Sequence, residues 1–166
     1  MSDLMAMIYL ETNIEAPAEL CYDLALTVEA HEDAIGGKGH GRAVAGVTSG
    51  RLKLGDTVTW EATHFGVRQR LTSKIVIVEP PCITEATKQA IFVDEMQQGA
   101  FKCWKHKHIF QSKMNGTLMI DEVEFAAPFG FIGRIVDALV LKDYMTRFLI
   151  KHNKNFKEIV ERESRS

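Results

Sequence analysis

Apolar and polar residues alternate with period two over most of the chain, most regularly from Trp104 to Phe125. Trp104, His106, His108 and Phe110 share one parity, and Cys103, Lys105, Lys107 and Ile109 take the other. Two lysines need water, so the imidazoles and aromatics must face inward. Lys113-Met114-Asn115-Gly116 reads as a turn, after which Thr117, Met119, Asp121, Val123 and Phe125 share a face opposite Glu122 and Glu124. If Gln111 or Ser112 pairs near Thr117, His108 lies opposite or diagonal to Asp121 on the inward side.

The same alternation predicts strands over Met5–Ile14, Thr57–Phe65 and Val67–Glu79. Val58, Trp60, Ala62 and His64 form one face of the second, and Gln69, Leu71, Ser73, Ile75 and Ile77 one face of the third. Leu54-Gly55-Asp56, Phe65-Gly66, Pro80-Pro81 and Asn115-Gly116 mark turns short enough for consecutive antiparallel strands. Gln97-Gln98-Gly99 interrupts the run before Phe101.

Helical spacing occurs twice. After Glu15-Ala16, Pro17 opens a helix at its first turn, roughly Ala18 to Thr27, with a second short piece from Val28 to Asp33. The glycine-rich segment from Ile35 to Gly41 reads as a mobile loop and contains no intact phosphate-binding pattern. Beyond Pro128-Phe129-Gly130 the apolar positions Ile132, Ile135, Val136 and Leu139, then Leu141, Met145, Phe148, Leu149, Phe156 and Ile159, trace a long stripe. The stripe shifts between Leu139 and Lys142, which predicts a kink or two packed helices. Strands first and a long closing helix last argue an α+β domain, a curved antiparallel sheet gripping the C-terminal helix.

With 166 residues the chain suffices for one domain, 1–166, and not for two. A net charge of -2 with no basic block predicts no nucleic-acid partner. No basic n-region with an apolar h-region begins the chain, and no run approaches the ~20 apolar residues of a membrane span. A cytoplasmic protein without an integral membrane segment is therefore expected. Cys21, Cys82 and Cys103 are odd in number without C-x-x-C spacing, as buried thiols in a reducing compartment would be.

His106 and His108 are the main chemical candidates, because inward imidazoles are costly without partners and Asp121 is the nearest carboxylate. Such a pair can simply lock the strand register, orient a ligand's polar end, or exchange protons, with His108 and Asp121 as the catalytic candidates. His-x-His with His64 or Asp121 offers metal-ligand types. The further Glu and His that metal-binding β-barrels supply are missing, so no metal and no cofactor is expected. No Gly-x-Ser-x-Gly elbow occurs and Cys103 faces away from the histidines, which leaves nucleophilic catalysis without support.

Several phrases carry a family resemblance: Ala16-Pro17 before the first helix, His31 after it, Trp60-Glu61-Ala62-Thr63-His64-Phe65-Gly66, Phe92-Val93-Asp94-Glu95-Met96, Gly99-Ala100-Phe101, His106-Lys107-His108-Ile109-Phe110, Thr117-Leu118-Met119-Ile120-Asp121 and Pro128-Phe129-Gly130. Together they resemble the helix-grip fold of the START-like superfamily, and more narrowly the bacterial SRPBCC proteins of polyketide cyclase/dehydrase type. The resemblance spans nearly the whole chain. It implies a hydrophobic cavity between sheet and C-terminal helix and carries over no catalytic residue.

The leading expectation is a non-covalent binding protein for a small hydrophobic molecule such as a lipid, isoprenoid quinone or polyketide-like compound. Trp60, His64, Leu71, Trp104, His106, His108, Phe110, Met119, Asp121 and Leu139 are the expected ligand contacts. A cyclase or dehydratase using His108 and Asp121 is the rival reading, and a protein-interaction module the third. The residues specify neither the ligand nor the oligomeric state.

Overall fold

The computed structural model describes residues 5–36, 40–64, 66–81, 89–126 and 134–166, with the side chains of the last segment described from Val140 onward. Strand β1 (Ala6–Ile14) leads into helices α1 (Ala18–Ala25) and α2 (Val28–Ile35). Strands β2 (Gly41–Gly46), β3 (Thr57–His64), β4 (Val67–Glu79), β5 (Gln89–Gln98), β6 (Cys103–Lys113) and β7 (Gly116–Ala126) follow, and helix α3 (Arg134–Glu163) closes the chain. The seven strands form one antiparallel sheet in the order β1-β7-β6-β5-β4-β3-β2. Consecutive strands are neighbours from β2 to β7, and the connections β3–β4, β5–β6 and β6–β7 are the short ones.

The β6–β7 hairpin has the register the pattern implies: Ser112 opposes Thr117 and His108 opposes Asp121. Lys105 and Lys107 reach the outer face, where they pair with Glu95 and Glu122 at 3.3 and 3.4 Å. Gly116 follows the Met114-Asn115 turn with φ of 134°, and a Cβ there would stand 2.2 Å from the Ile14 carbonyl oxygen. Only glycine fits that crossing of chain segments. Two register shifts interrupt the β4–β5 pairing, at Thr72/Ser73 and Ile75/Ile77, and such bulges bend a strand and increase its twist.

Three local expectations are corrected. Pro17 is the extended cap residue at ψ of 145°, one position ahead of the helix, and its carbonyl accepts the Cys21 N–H at 3.1 Å. The first helix stops at Ala25 because Thr27 is extended and its hydroxyl turns back to the Asp23 carbonyl at 2.9 Å. The long C-terminal helix is unbroken from Arg134 to Glu163. It is one helix and not two packed ones, it contains neither glycine nor proline, and its two halves face different neighbours. In the glycine-rich segment, α2 keeps Ile35 and β2 begins at Gly41, while 37–39 lie outside the described residues.

Helix α3 packs on β1, α2 and α1. One apolar cluster, including Tyr22, Leu26, Phe110, Phe156 and Val160, binds α1, α2 and the end of α3 to the sheet. A second, of Ile8, Trp104, Val123, Phe125, Met145 and Leu149, anchors the earlier part of α3 to β1, β6 and β7. The volume between α3 and the inner faces of β3 to β6 is a cavity of about 550 Å³. Among the described residues no helix is long and apolar enough to cross a membrane.

Candidate functional site

The walls of the cavity are the inward parities of four strands and one stripe of α3. Trp60 from β3, Leu71 and Ile75 from β4, Phe92 from β5 and Trp104 from β6 face Leu141, Met145 and Leu149 of the helix. Of six histidines in the chain, five line it: His31, His64, His106, His108 and His152. An apolar chamber with its polar groups gathered at few points is the usual build of a small-molecule site.

The polar floor is made where β5, β6 and β7 meet. Cross-strand register sets Asp94 opposite His106 and Asp121 opposite His108. The hydrogen bonds also run diagonally: His106 Nε2 donates to Asp121 Oδ1 at 2.8 Å, and His108 Nε2 meets Asp94 Oδ2 at 3.3 Å. His108 Nδ1 lies 3.1 Å from the same Asp121 Oδ1. From α3, the Asn153 amide donates to Asp121 Oδ2 at 2.7 Å. Because an ionised carboxylate only accepts, both His108 nitrogens carry protons and His106 is protonated at Nε2. The two imidazoles lie 3.6 Å apart, and Phe92 stacks on His108 at 4.1 Å, so neither ring is free to turn.

Burial opposes every charge in this cluster, and the partners decide which survive. Burial pushes the Asp121 carboxyl up, but hydrogen bonds from His106 and His108 outweigh it and hold the group well below the usual carboxylate range. Burial pulls His108 down, yet its bonds to Asp121 and Asp94 raise it to about 9. Burial and the adjacent His108 cation keep His106 neutral. One imidazolium thus sits between two carboxylates.

A second histidine pair borders the floor. His31 of α2 stacks at 4.3 Å on Trp60 and lies 4.9 Å from His152. Burial lowers His152 to about 4 and His31 well below its ordinary value. His152 Nε2 is buried without a hydrogen-bond partner among the described residues. At another point of the lining, His64 Nδ1 bonds the Tyr144 hydroxyl at 2.9 Å, tying β3 to α3.

Of the residues expected to contact a ligand, Trp60, His64, Leu71, Trp104, His106 and His108 line the cavity. Phe110 shares their parity but lies further along β6, where Tyr22 of α1 covers it at 6.1 Å and leaves it fully buried. Met119 and Asp121 sit behind the floor, beside a crevice of about 10 Å³ shared with Phe156. The Leu139 side chain lies outside the described residues. Asp94, His152 and Asn153 were missed. Asp94 shares parity with Phe92 and Met96, and His152 continues the Met145, Leu149, Phe156 stripe, so both were within reach of the pattern. Among the described residues, Asp94, His106 and His108 each bring a donor atom within 4.8 Å of the other two. That set includes neither His64 nor Asp121, the further ligand types the sequence offered beside the His-x-His pair, where no metal was expected.

No family model and no curated protein matches the chain. Solved structures do. The chain is similar to TTHA0849 from Thermus thermophilus, at 18% identity over 96% of this chain and 99% of that one, with a TM-score of 0.73. It is similar to the Zhui aromatase/cyclase of Streptomyces, at 13% identity over 95% and 94% of the two chains, TM-score 0.70. A major latex-like protein of Panax ginseng aligns at 16% identity over 93% and 97%, TM-score 0.60. These likenesses show a shared helix-grip fold. Helix-grip domains share a cavity more than a reaction, so the chemistry of this one rests on its own floor.

Proposed function

We propose that the protein is a non-covalent carrier of a small hydrophobic molecule, held between sheet and α3 with its polar end at His106, His108 and Asp94. The observation that carries this reading is a cavity of about 550 Å³ whose walls are aromatic and aliphatic and whose charged groups lie together on its floor. Lipids, isoprenoid quinones and polyketide-like compounds have the matching build, one oxygenated end on an apolar body. The purified protein, extracted with organic solvent and examined by mass spectrometry, is expected to release such a molecule at a fixed ratio to protein. A Leu71→Trp variant that keeps its fold should lose it. Extracts without a ligand, from a protein that also fails to bind a fluorescent hydrophobic probe, would sink the reading.

A cyclase or dehydratase is the second reading, favoured by the buried carboxylate–imidazole–carboxylate arrangement. Both His108 nitrogens are engaged by carboxylates, so His108 has no lone pair for a base step and could serve only as an acid. That ranks the carrier first.

A further inference from the structure

We propose that the cavity floor binds one divalent first-row transition-metal ion through Asp94, His106 and His108, with a coordination position left open toward the cavity. The site is independent of whether the cavity carries its ligand or transforms it. Two imidazoles and a carboxylate are the donor set suited to zinc, cobalt or iron, and too nitrogen-rich for magnesium or calcium.

The distances fit. His108 Nε2 and Asp94 Oδ2 are 3.3 Å apart. Two ligands held at about 2.1 Å from one ion and about 90–110° apart are separated by about 3.0–3.4 Å. The donor atoms of the three residues lie within 4.8 Å of one another. A proton shared between His108 and Asp94 occupies the position an ion would take.

Asp121 completes the design from behind. Its Oδ1 accepts from His106 Nε2 at 2.8 Å and lies 3.1 Å from His108 Nδ1, while Asn153 fixes its Oδ2 at 2.7 Å. Metal-ligating histidines characteristically give their second N–H to a carboxylate, which sets the tautomer and aims the other nitrogen. Here one buried carboxylate does this for both rings, which leaves His106 Nδ1 for coordination and His108 Nε2 once the incoming ion displaces the proton that nitrogen gives to Asp94. The rings are held by their mutual contact at 3.6 Å and by Phe92. His152, whose buried Nε2 has no partner among the described residues, lines the same cavity.

The full chain, freed of metal by chelator and dialysed, would be titrated with Co²⁺ and with Zn²⁺. The expected result is one equivalent of Co²⁺ per chain with visible absorption of a nitrogen/oxygen-ligated ion, displaced by one equivalent of Zn²⁺. Asp94→Asn, at a partly exposed position that should not threaten folding, should weaken binding at least about tenfold, and so should His106→Gln. Asp121→Asn acts only through the imidazoles, and should weaken binding yet leave the cobalt spectrum of the bound form in place. His40→Gln, at the histidine outside the cavity, should change nothing. Absence of a stoichiometric cobalt spectrum overturns the proposal, as does a spectrum that survives both Asp94→Asn and His106→Gln. Hydrophobic-probe binding, measured on the same metal-free protein, reports on the carrier separately, so the two readings can fail independently.

Discussion

Asp121 of β7 and Asn153 of α3 meet across the floor of the cavity, the Asn153 amide donating to Asp121 Oδ2 at 2.7 Å. Each is at least nine-tenths buried, at 1% and 4% exposure. The bond therefore joins the grip helix to the one carboxylate on which both inward histidines depend. Removing Asp121 leaves an imidazolium and a neutral imidazole without their common acceptor, and Asp121→Ala should cost about 3–5 kcal/mol. Asn153→Ala removes one bond to a charged group and should cost about 1–3 kcal/mol. Urea denaturation ranks the two, and equal costs would show that the histidines do not depend on Asp121.

Acid should destabilise the protein well before its carboxylates titrate. Burial holds His152 at about 4 against an unfolded value of 6.5, so between those values the unfolded chain binds a proton that the folded one refuses. The His152 contribution is therefore full above about pH 6.5, falls as pH drops toward 4, and is lost below that, whereas His108, raised to about 9, acts in the opposite direction and only above pH 6.5. Each such histidine adds at most about 1.4 kcal/mol per pH unit to the slope. His31 and His64 are lowered by burial too and act in the same direction. Replacing His152 with Phe should flatten the profile between pH 6.5 and 4.5 by up to one proton, measured as denaturation midpoints over that range.

The bond between His64 and Tyr144 ties β3 to α3 beside the cavity. Loosening it should let the helix rise from the sheet more often. Tyr144→Phe is expected to cost only about 0.5–1.5 kcal/mol of stability and to speed release of a bound fluorescent hydrophobic probe severalfold in stopped flow. An unchanged release rate would mean that exchange does not pass between β3 and α3.

Gly116 should tolerate no side chain. Alanine would combine a φ of 134° with a Cβ 2.2 Å from the Ile14 carbonyl oxygen, and the local conformation alone costs about 1–3 kcal/mol. The thermal midpoint of Gly116→Ala should fall by several degrees, whereas Gly55→Ala, with nothing within 4 Å of the new methyl group, should fall less.

Parity along a strand is a local property, and the chain states it without help. Two lysines alternating with two histidines set which face of β6 is dry, and a short turn at Asn115-Gly116 propagates that choice to Asp121, so the His108–Asp121 pairing was legible before any fold was known. The α+β order followed from the change of period near Pro128, and the cavity between sheet and helix was what the family resemblance implied. Asp94 was not legible as a partner, although its parity was, because the connection from Gln98 to Cys103 is too long to dictate a register and the β4–β5 bulges shift the strands locally. Asn153 and His152 lay further out of reach. Helical period places His152 on the apolar stripe, but which strands that stripe crosses depends on how α3 rests on β1 and α2. Residues 32 positions apart, Asp121 and Asn153, are joined by that packing alone. Sequence by itself determined the inward histidines and the carboxylate facing them, since alternation and a tight turn act over a few residues. Tertiary structure decided that a second carboxylate, a helix amide and a second histidine pair share their floor, since non-local register and helix docking are settled only when the whole core packs.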